Sequence, residues 1–231
     1  MSSKVTPKQN SKSKNTAKKS VSAQTKKAPK GFNKKVWIPV ICAAVLAIGL
    51  LLFFILRDSG EKTGSTGYTA TIEVQDYGTI VLELDHDAAP ITVDNFVKLA
   101  KSGFYDGLTF HRIMKGFMIQ GGDPEGNGFG GSDETIKGEF AQNGYDNPIS
   151  HTRGTISMAR ESGNMDSASS QFFIMHEDNT SLDGGYAAFG HVTSGMEVVD
   201  AIANDAKPTD NNGTIPKAEQ PVITKITVTT P

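Results

Sequence analysis

A single cysteine, Cys42, in 231 residues excludes an intrachain disulfide framework and any cysteine-based zinc site. The first 57 residues lack acids altogether while carrying 11 lysines and Arg57. All 25 acids lie beyond them, so residues 58–231 hold 25 acidic against 11 basic groups, a net −14, and the overall −2 conceals a basic head on an acidic body. A G-x-S-x-G nucleophile elbow is missing, and the only thiol sits in an apolar run, so covalent catalysis is not signalled. The five histidines, His86, His111, His151, His176 and His191, include no i, i+4 pair, so neither a metal site nor a cofactor is expected. With 37% hydrophobic residues and 24 glycines, collagen, coiled coil and wholesale disorder are excluded, and the chain is long enough to bury one sizeable core.

Long hydrophobic runs are also scarce, with one exception. Residues 1–35 are mostly Lys, Ser, Thr, Asn and Gln, a composition that cannot offset chain entropy and predicts disorder. Val36–Leu56 then gives 21 residues without a charge, which as a helix reach about 31 Å, the thickness of a bilayer's hydrocarbon core. The run ends in Phe53-Phe54-Ile55-Leu56 rather than small residues, which favours an uncleaved anchor over a signal peptide. The lysine excess on the amino-terminal flank puts that end in the cytoplasm and residues 58–231 outside. Those lysines lack interleaved aromatic residues, so nucleic acid is not an expected partner. Residues 57–67, RDSGEKTGSTG, form a flexible linker, and a folded domain is expected over 68–231.

That body alternates apolar and polar residues over Thr69–Val74 and Thr79–Leu84, around a turn at 75–78, and again over Val222–Thr229, with short apolar runs between at Thr109–Ile113, Phe117–Gln120, Thr155–Ala159, Phe172–Met175 and Ala187–Val192. Two helices are predicted. One covers Val93–Lys101, capped by Thr92, with Asp94 in its first turn and Gly103 past its end; the other covers Met196–Ala203. Many short strands with two helices predict a mainly β fold, an antiparallel sheet closed into a barrel with helices plugging its ends.

Gly126-Asn127-Gly128-Phe129-Gly130-Gly131 matches G-x-G-x-x-G, but it is followed by Ser132-Asp133-Glu134 rather than a helix, which rejects a dinucleotide site. It reads as a loop whose backbone comes close to something. Asp205–Gly213 is acid-rich, yet Pro208 and the carboxylate spacing do not fit a calcium loop, so a solvated turn is expected. From alternation alone Phe117, Met118 and Phe173 read as barrel core, and Arg112 as a surface ion-pair partner.

The joint pattern says more. FHRIMKGFMIQGGD (110–123), GTISMAR (154–160), SSQFFIM (169–175) and LDGGYAAFGHV (182–192), in this order, resemble the cyclophilin family of peptidyl-prolyl cis–trans isomerases across roughly residues 68–229. The resemblance implies an eight-stranded closed antiparallel barrel capped by two helices and catalysis of rotation about X-Pro bonds in proline-containing polypeptides. It places the catalytic arginine at Arg112 and a catalytic glutamine at Gln120. The proline pocket falls on Phe117, Met118, Phe173 and Leu182, substrate-backbone contacts on Ala159 and Arg160, and further substrate-side positions on Gly128, Gln171 and Tyr186. Ser181 stands where many members carry tryptophan, which puts cyclosporin binding in doubt, and the stretch 160–169 is about two residues longer than in common forms. SASSQFF and GGYAAFGHV are similar to bacterial members, so the expectation is a bacterial plasma-membrane isomerase with its domain outside. The alternative is a non-catalytic proline-peptide docking module or holdase.

Overall fold

The computed structural model describes residues 67–230. The expected basic segment, the apolar span at 36–56 and nearly all of the linker lie outside the described residues. No helix among the described residues is long and apolar enough to cross a membrane.

Among the described residues eight strands make one antiparallel sheet: β1 (Tyr68–Val74), β2 (Gly78–Leu84), β3 (Thr109–Met114), β4 (Met118–Asp123), β5 (Thr155–Met158), β6 (Phe172–Met175), β7 (Ala188–Ser194) and β8 (Ile223–Thr229), in the order β3-β4-β6-β5-β7-β2-β1-β8. Each strand follows an alternating or short apolar run, and the boundaries differ from expectation by at most three residues. The helices are α1 (Pro90–Lys101) and α2 (Met196–Asp205).

The closed barrel expected from the sequence is met only in part. The edge strands β3 and β8 touch at their first residues, where Thr109 bridges Val222 and the Ile223 N–H donates to the Leu108 carbonyl at 2.7 Å. Beyond that point the outer edge of β3 pairs with an irregular segment instead: Ile113 N–H donates to Gly213 O at 2.8 Å, and Ile215 N–H to His111 O at 3.0 Å. Pro216 and Pro221 lie in the stretch leading from that segment to β8, and proline has no N–H to extend a ladder. The edge is thus covered rather than joined.

Helix α1 begins three residues before the expected start. Pro90 occupies its first turn, where a missing N–H is harmless. Thr92 is not the cap. The capping function comes from Glu139, whose carboxylate accepts from Ile91 N, Thr92 N and the Thr92 hydroxyl at 3.0, 2.8 and 2.7 Å. A carboxylate at a helix N-terminus is favoured by the dipole as well as by these bonds. Asp94 therefore falls outside the first turn, while Lys98 and Lys101 do lie in the last.

The helix turns Val93, Phe96, Val97, Leu99 and Ala100 into the sheet. Phe96 contacts Tyr105, Phe172 and Phe189 with ring centroids 5.3–5.7 Å apart. Phe172 is also edge-on to Phe110 and Tyr105. Burial pushes the Tyr105 phenol far above its ordinary pKa, and its hydroxyl reaches the Ser170 carbonyl at 3.1 Å. The double glycine of β4 makes room for these rings: a Cβ on Gly122, whose φ is +83°, would lie 2.6 Å from Ser170 O and 3.1 Å from the Phe172 ring.

Candidate active site

Strands β4 and β6 divide their side chains between two apolar clusters. Ile119, Phe172 and Ile174 point to the main core, whereas Met118, Phe173 and Met175 form a separate cluster with Met114, Phe117, Ala159, Leu182 and Tyr186 packed against it. An antiparallel sheet ordinarily shows one apolar and one polar face. Here the second face is apolar too, and it floors a groove of about 370 Å³.

Ten of the eleven residues expected in the site line this groove: Arg112, Phe117, Met118, Gln120, Gly128, Ala159, Arg160, Phe173, Leu182 and Tyr186. The eleventh, Gln171, stands behind it and binds its members. Arg112 on β3 faces Gln120 on β4 in register. Its Nη1 donates to Gln120 Oε1 at 3.0 Å and its Nε to Asn212 O at 2.8 Å, and its remaining contacts are the sulfurs of Met118 and Met114. Gln120 donates in turn to Gln171 Oε1 at 2.9 Å, and Gln171 to the carbonyls of Gly128 and Gly130 at 3.1 and 2.7 Å. Burial lowers the Arg112 pKa, opposed by Tyr186 and Asp210, yet guanidinium stays charged at any biological pH. The expectation of a surface ion pair fails: Arg112 makes no salt bridge among the described residues, unlike Arg153, which holds Asp200 at 2.7 Å.

The glycine loop does come close to something. The Asp123 carboxylate accepts from the backbone N–H groups of Glu125, Asn127 and Gly128. Burial raises its pKa, but these donors together with His111 prevail and hold it below the usual range. A Cβ on Gly130 would collide with the same carboxylate, so the position is restricted to glycine. Beneath the groove His151 stacks on Phe173 with centroids 5.9 Å apart, its Nδ1 2.8 Å from Asp183 Oδ1 and its Nε2 3.1 Å from Ser157 Oγ. Tyr186 closes the side edge-on to Phe173 at 5.7 Å. Ala159 N–H is already engaged, by Gln171 O at 2.9 Å.

The groove includes five residues not expected from sequence: His111, Asn127, Phe129, Asn212 and Thr214. His111 adjoins Arg112 and is buried without a hydrogen-bond partner on either ring nitrogen among the described residues; burial holds its pKa low, with Asp123 opposing and Arg112 reinforcing. The stretch 205–213 is the solvated turn expected, and Asn212 and Thr214 give its end a further role. Asp210 ties the turn through Asn212 N, Thr214 N and the Thr214 hydroxyl, and the end of the turn backs Arg112. Only the chain's long-range path could reveal that role, since the two segments lie 100 residues apart.

Residues 69–228 match the family described as cyclophilin type peptidyl-prolyl cis-trans isomerase/CLD. Peptidyl-prolyl cis-trans isomerase B of Bacillus subtilis is 48% identical over 139 residues, which is 60% of this chain and 91% of that protein. A peptidyl-prolyl cis-trans isomerase of Helicobacter pylori is 47% identical over 144 residues, 62% of this chain and 83% of that protein. A crystal structure of a Cryptosporidium parvum cyclophilin, determined in the presence of the dipeptide Ala-Pro, superposes with a TM-score of 0.62 at 29% identity, covering 71% of this chain and 99% of that one. An apolar slot beside an arginine that makes no salt bridge among the described residues, on this sheet and with these relatives, leads to one conclusion: the chain belongs to the cyclophilin-type peptidyl-prolyl cis–trans isomerase family.

Proposed function

We propose that the domain accelerates rotation about X-Pro bonds in extracytoplasmic polypeptides, with Arg112 as the group that favours the twisted amide. Rotation breaks the resonance of the C–N bond, a barrier of about 18–20 kcal/mol, and makes or breaks no covalent bond. A catalyst therefore has only to bind the twisted form better than either planar one. As the proline nitrogen leaves conjugation its lone pair becomes an acceptor, and a fixed guanidinium donates to it. Phe117, Met118, Phe173 and Leu182 grip the pyrrolidine ring, Gln120 holds the moving carbonyl, and the Ala159–Arg160 backbone meets the chain on the amino-terminal side of the proline. Since the Ala159 N–H is taken, its carbonyl is the group left for that contact.

The observation that carries this reading is the guanidinium over the apolar cluster, its Nε and Nη1 fixed by Asn212 and Gln120 and in no salt bridge among the described residues. The test is exchange spectroscopy on a short Ala-Pro-containing peptide with the full-length chain. Catalysed exchange supports the enzyme; line broadening from binding without faster exchange supports the docking module or holdase instead. The apolar run at 36–56 supports a single-pass anchor with the domain outside a bacterial plasma membrane. Protease added to intact spheroplasts is expected to remove the domain; protection of the domain contradicts that topology.

A further inference from the structure

The groove is charged unlike the domain that carries it. From 67 to 230 the chain has 23 acidic and 10 basic side chains, yet the groove is lined by two arginines, Arg112 and Arg160, and by no acid. Arg112 is the group assigned to the proline amide. Arg160 is held in a different manner. Its guanidinium lies 5.2 Å from the centroid of the Phe140 ring and 5.0 Å from that of Tyr186, so it stacks against two aromatic faces. Nε donates to Gly185 O at 2.9 Å and Nη1 to the carbonyls of Glu161 and Ser162 at 3.0 and 3.4 Å. Nη2 has no hydrogen bond, and no salt bridge forms, among the described residues.

Every partner of this cation is therefore neutral, and the cation is immobilised in advance. A surface arginine that merely kept the domain soluble would sweep through many rotamers, and on so acidic a body it would find a carboxylate. Arg160 instead meets carbonyls in the long 160–169 stretch, which is itself pinned: Glu161 N–H donates to Ser167 Oγ at 2.9 Å, and Asp166 accepts from Gly138 N and Asn143 Nδ2 at 3.0 and 2.7 Å. Placing a guanidinium this way costs little further rotamer entropy when a carboxylate arrives, and charge-assisted bonds to carboxylates are stronger than neutral ones.

We propose that Arg160 is a specificity-determining residue that selects substrates bearing an acidic side chain upstream of the proline. The inference rests on the isomerase reading for the direction in which the peptide lies, since the Ala159–Arg160 segment meets the residues before the proline. A carboxylate two or three positions upstream pairs with Nη2, while a lysine there is repelled by the same charge. The acidic surroundings sharpen the effect, because a cationic peptide drawn to the body by its −13 charge meets a positive groove at the point of turnover.

The test uses the full-length chain in detergent and three peptides that differ only at the second position before the proline, with Glu, Gln or Lys there and Ala kept directly before the proline. Both kcat/KM and Kd are measured, at low and at high salt. The Glu peptide is expected to exceed the Gln peptide by about fivefold in kcat/KM and the Lys peptide to fall below it, with the differences shrinking at high salt. In Arg160→Gln the Glu:Gln ratio is expected to fall to about one, whatever happens to the absolute rates, and in Arg160→Lys to stay in between. Equal handling of Glu and Gln peptides by the wild type overturns the proposal, as does an undiminished ratio in Arg160→Gln. If Arg160→Gln does not fold, the wild-type ratio, its salt dependence and Arg160→Lys decide the matter. If no peptide is turned over at all, the isomerase reading fails, and the ratio of Kd values still tests Arg160.

Discussion

Phe172 and Phe173 are neighbours on one four-residue strand, both buried and chemically identical, yet they belong to different parts of the molecule. Phe172 meets Phe96, Tyr105 and Phe110 inside the sheet. Phe173 meets His151 and Tyr186 on the opposite face, under the groove. One face of the sheet spends its apolar residues on the main core and the other on the floor of the groove. Burial alone does not tell them apart; the cluster to which each side chain belongs does.

The largest expected effect that tests this division is Phe172→Ala. It removes the ring at the centre of the aromatic core and is expected to cost about 3–5 kcal/mol of stability, read from denaturant midpoints. The fraction that stays folded should retain its peptide affinity. Phe173→Ala should do the opposite, losing more than about tenfold in kcat/KM and less stability than Phe172→Ala. Equal stability losses with equal rate losses would erase the distinction between the faces.

An intermediate effect is expected for Gln120→Ala, which cuts the chain of donors from Arg112 to Gln171 and the glycine loop. A loss of about tenfold in kcat/KM corresponds to about 1.4 kcal/mol of transition-state stabilisation. Thermal stability should change little, because Gln120 is half-buried on the groove face.

A smaller effect separates the faces by pH. Burial holds His111 and His151 below the ordinary histidine pKa, so folding favours their neutral forms. The unfolded chain titrates near 6.5 and takes up protons there that the folded chain refuses, so stability is complete above about pH 6.5 and falls as pH drops below it. His111→Gln should flatten that slope in pH-dependent denaturation. The carboxyls held low, Asp123 and Asp183, have their effect lower still, with stability lost only below about pH 4. The smallest effect belongs to the exposed pair Arg153–Asp200. Arg153→Gln should cost less than about 1 kcal/mol and leave isomerisation unchanged, in contrast to any substitution at Arg112.

Much of this architecture is legible in the residues. Alternation or a short apolar run marked each of the eight described strands, and the first helix announced itself by its apolar spacing and by Gly103. The start of α1 was not legible, because its capping carboxylate, Glu139, arrives from 47 residues beyond Thr92. Nor was the partial closure of the sheet, which depends on the segment around Gly213 lying along β3. Within the site, Arg112, Gln120 and the apolar floor were recognisable only through several motifs in fixed order. Alternation assigned Met118 and Phe173 to the core because a two-residue period cannot tell which face of a sheet is the inside. His111 and Asn212 escaped because their roles arise from packing and from a carbonyl rather than from side-chain chemistry.

Arg112 is proposed to favour the twisted amide rather than the bound peptide. The most direct test of that role measures kcat/KM and Kd for one proline peptide with the wild type, Arg112→Lys and Arg112→Ala. Arg112→Ala is expected to lose at least about a hundredfold in kcat/KM while Kd changes by less than about threefold, with Arg112→Lys recovering only part of the rate. A rate that survives Arg112→Ala, or falls only in step with affinity, would contradict it.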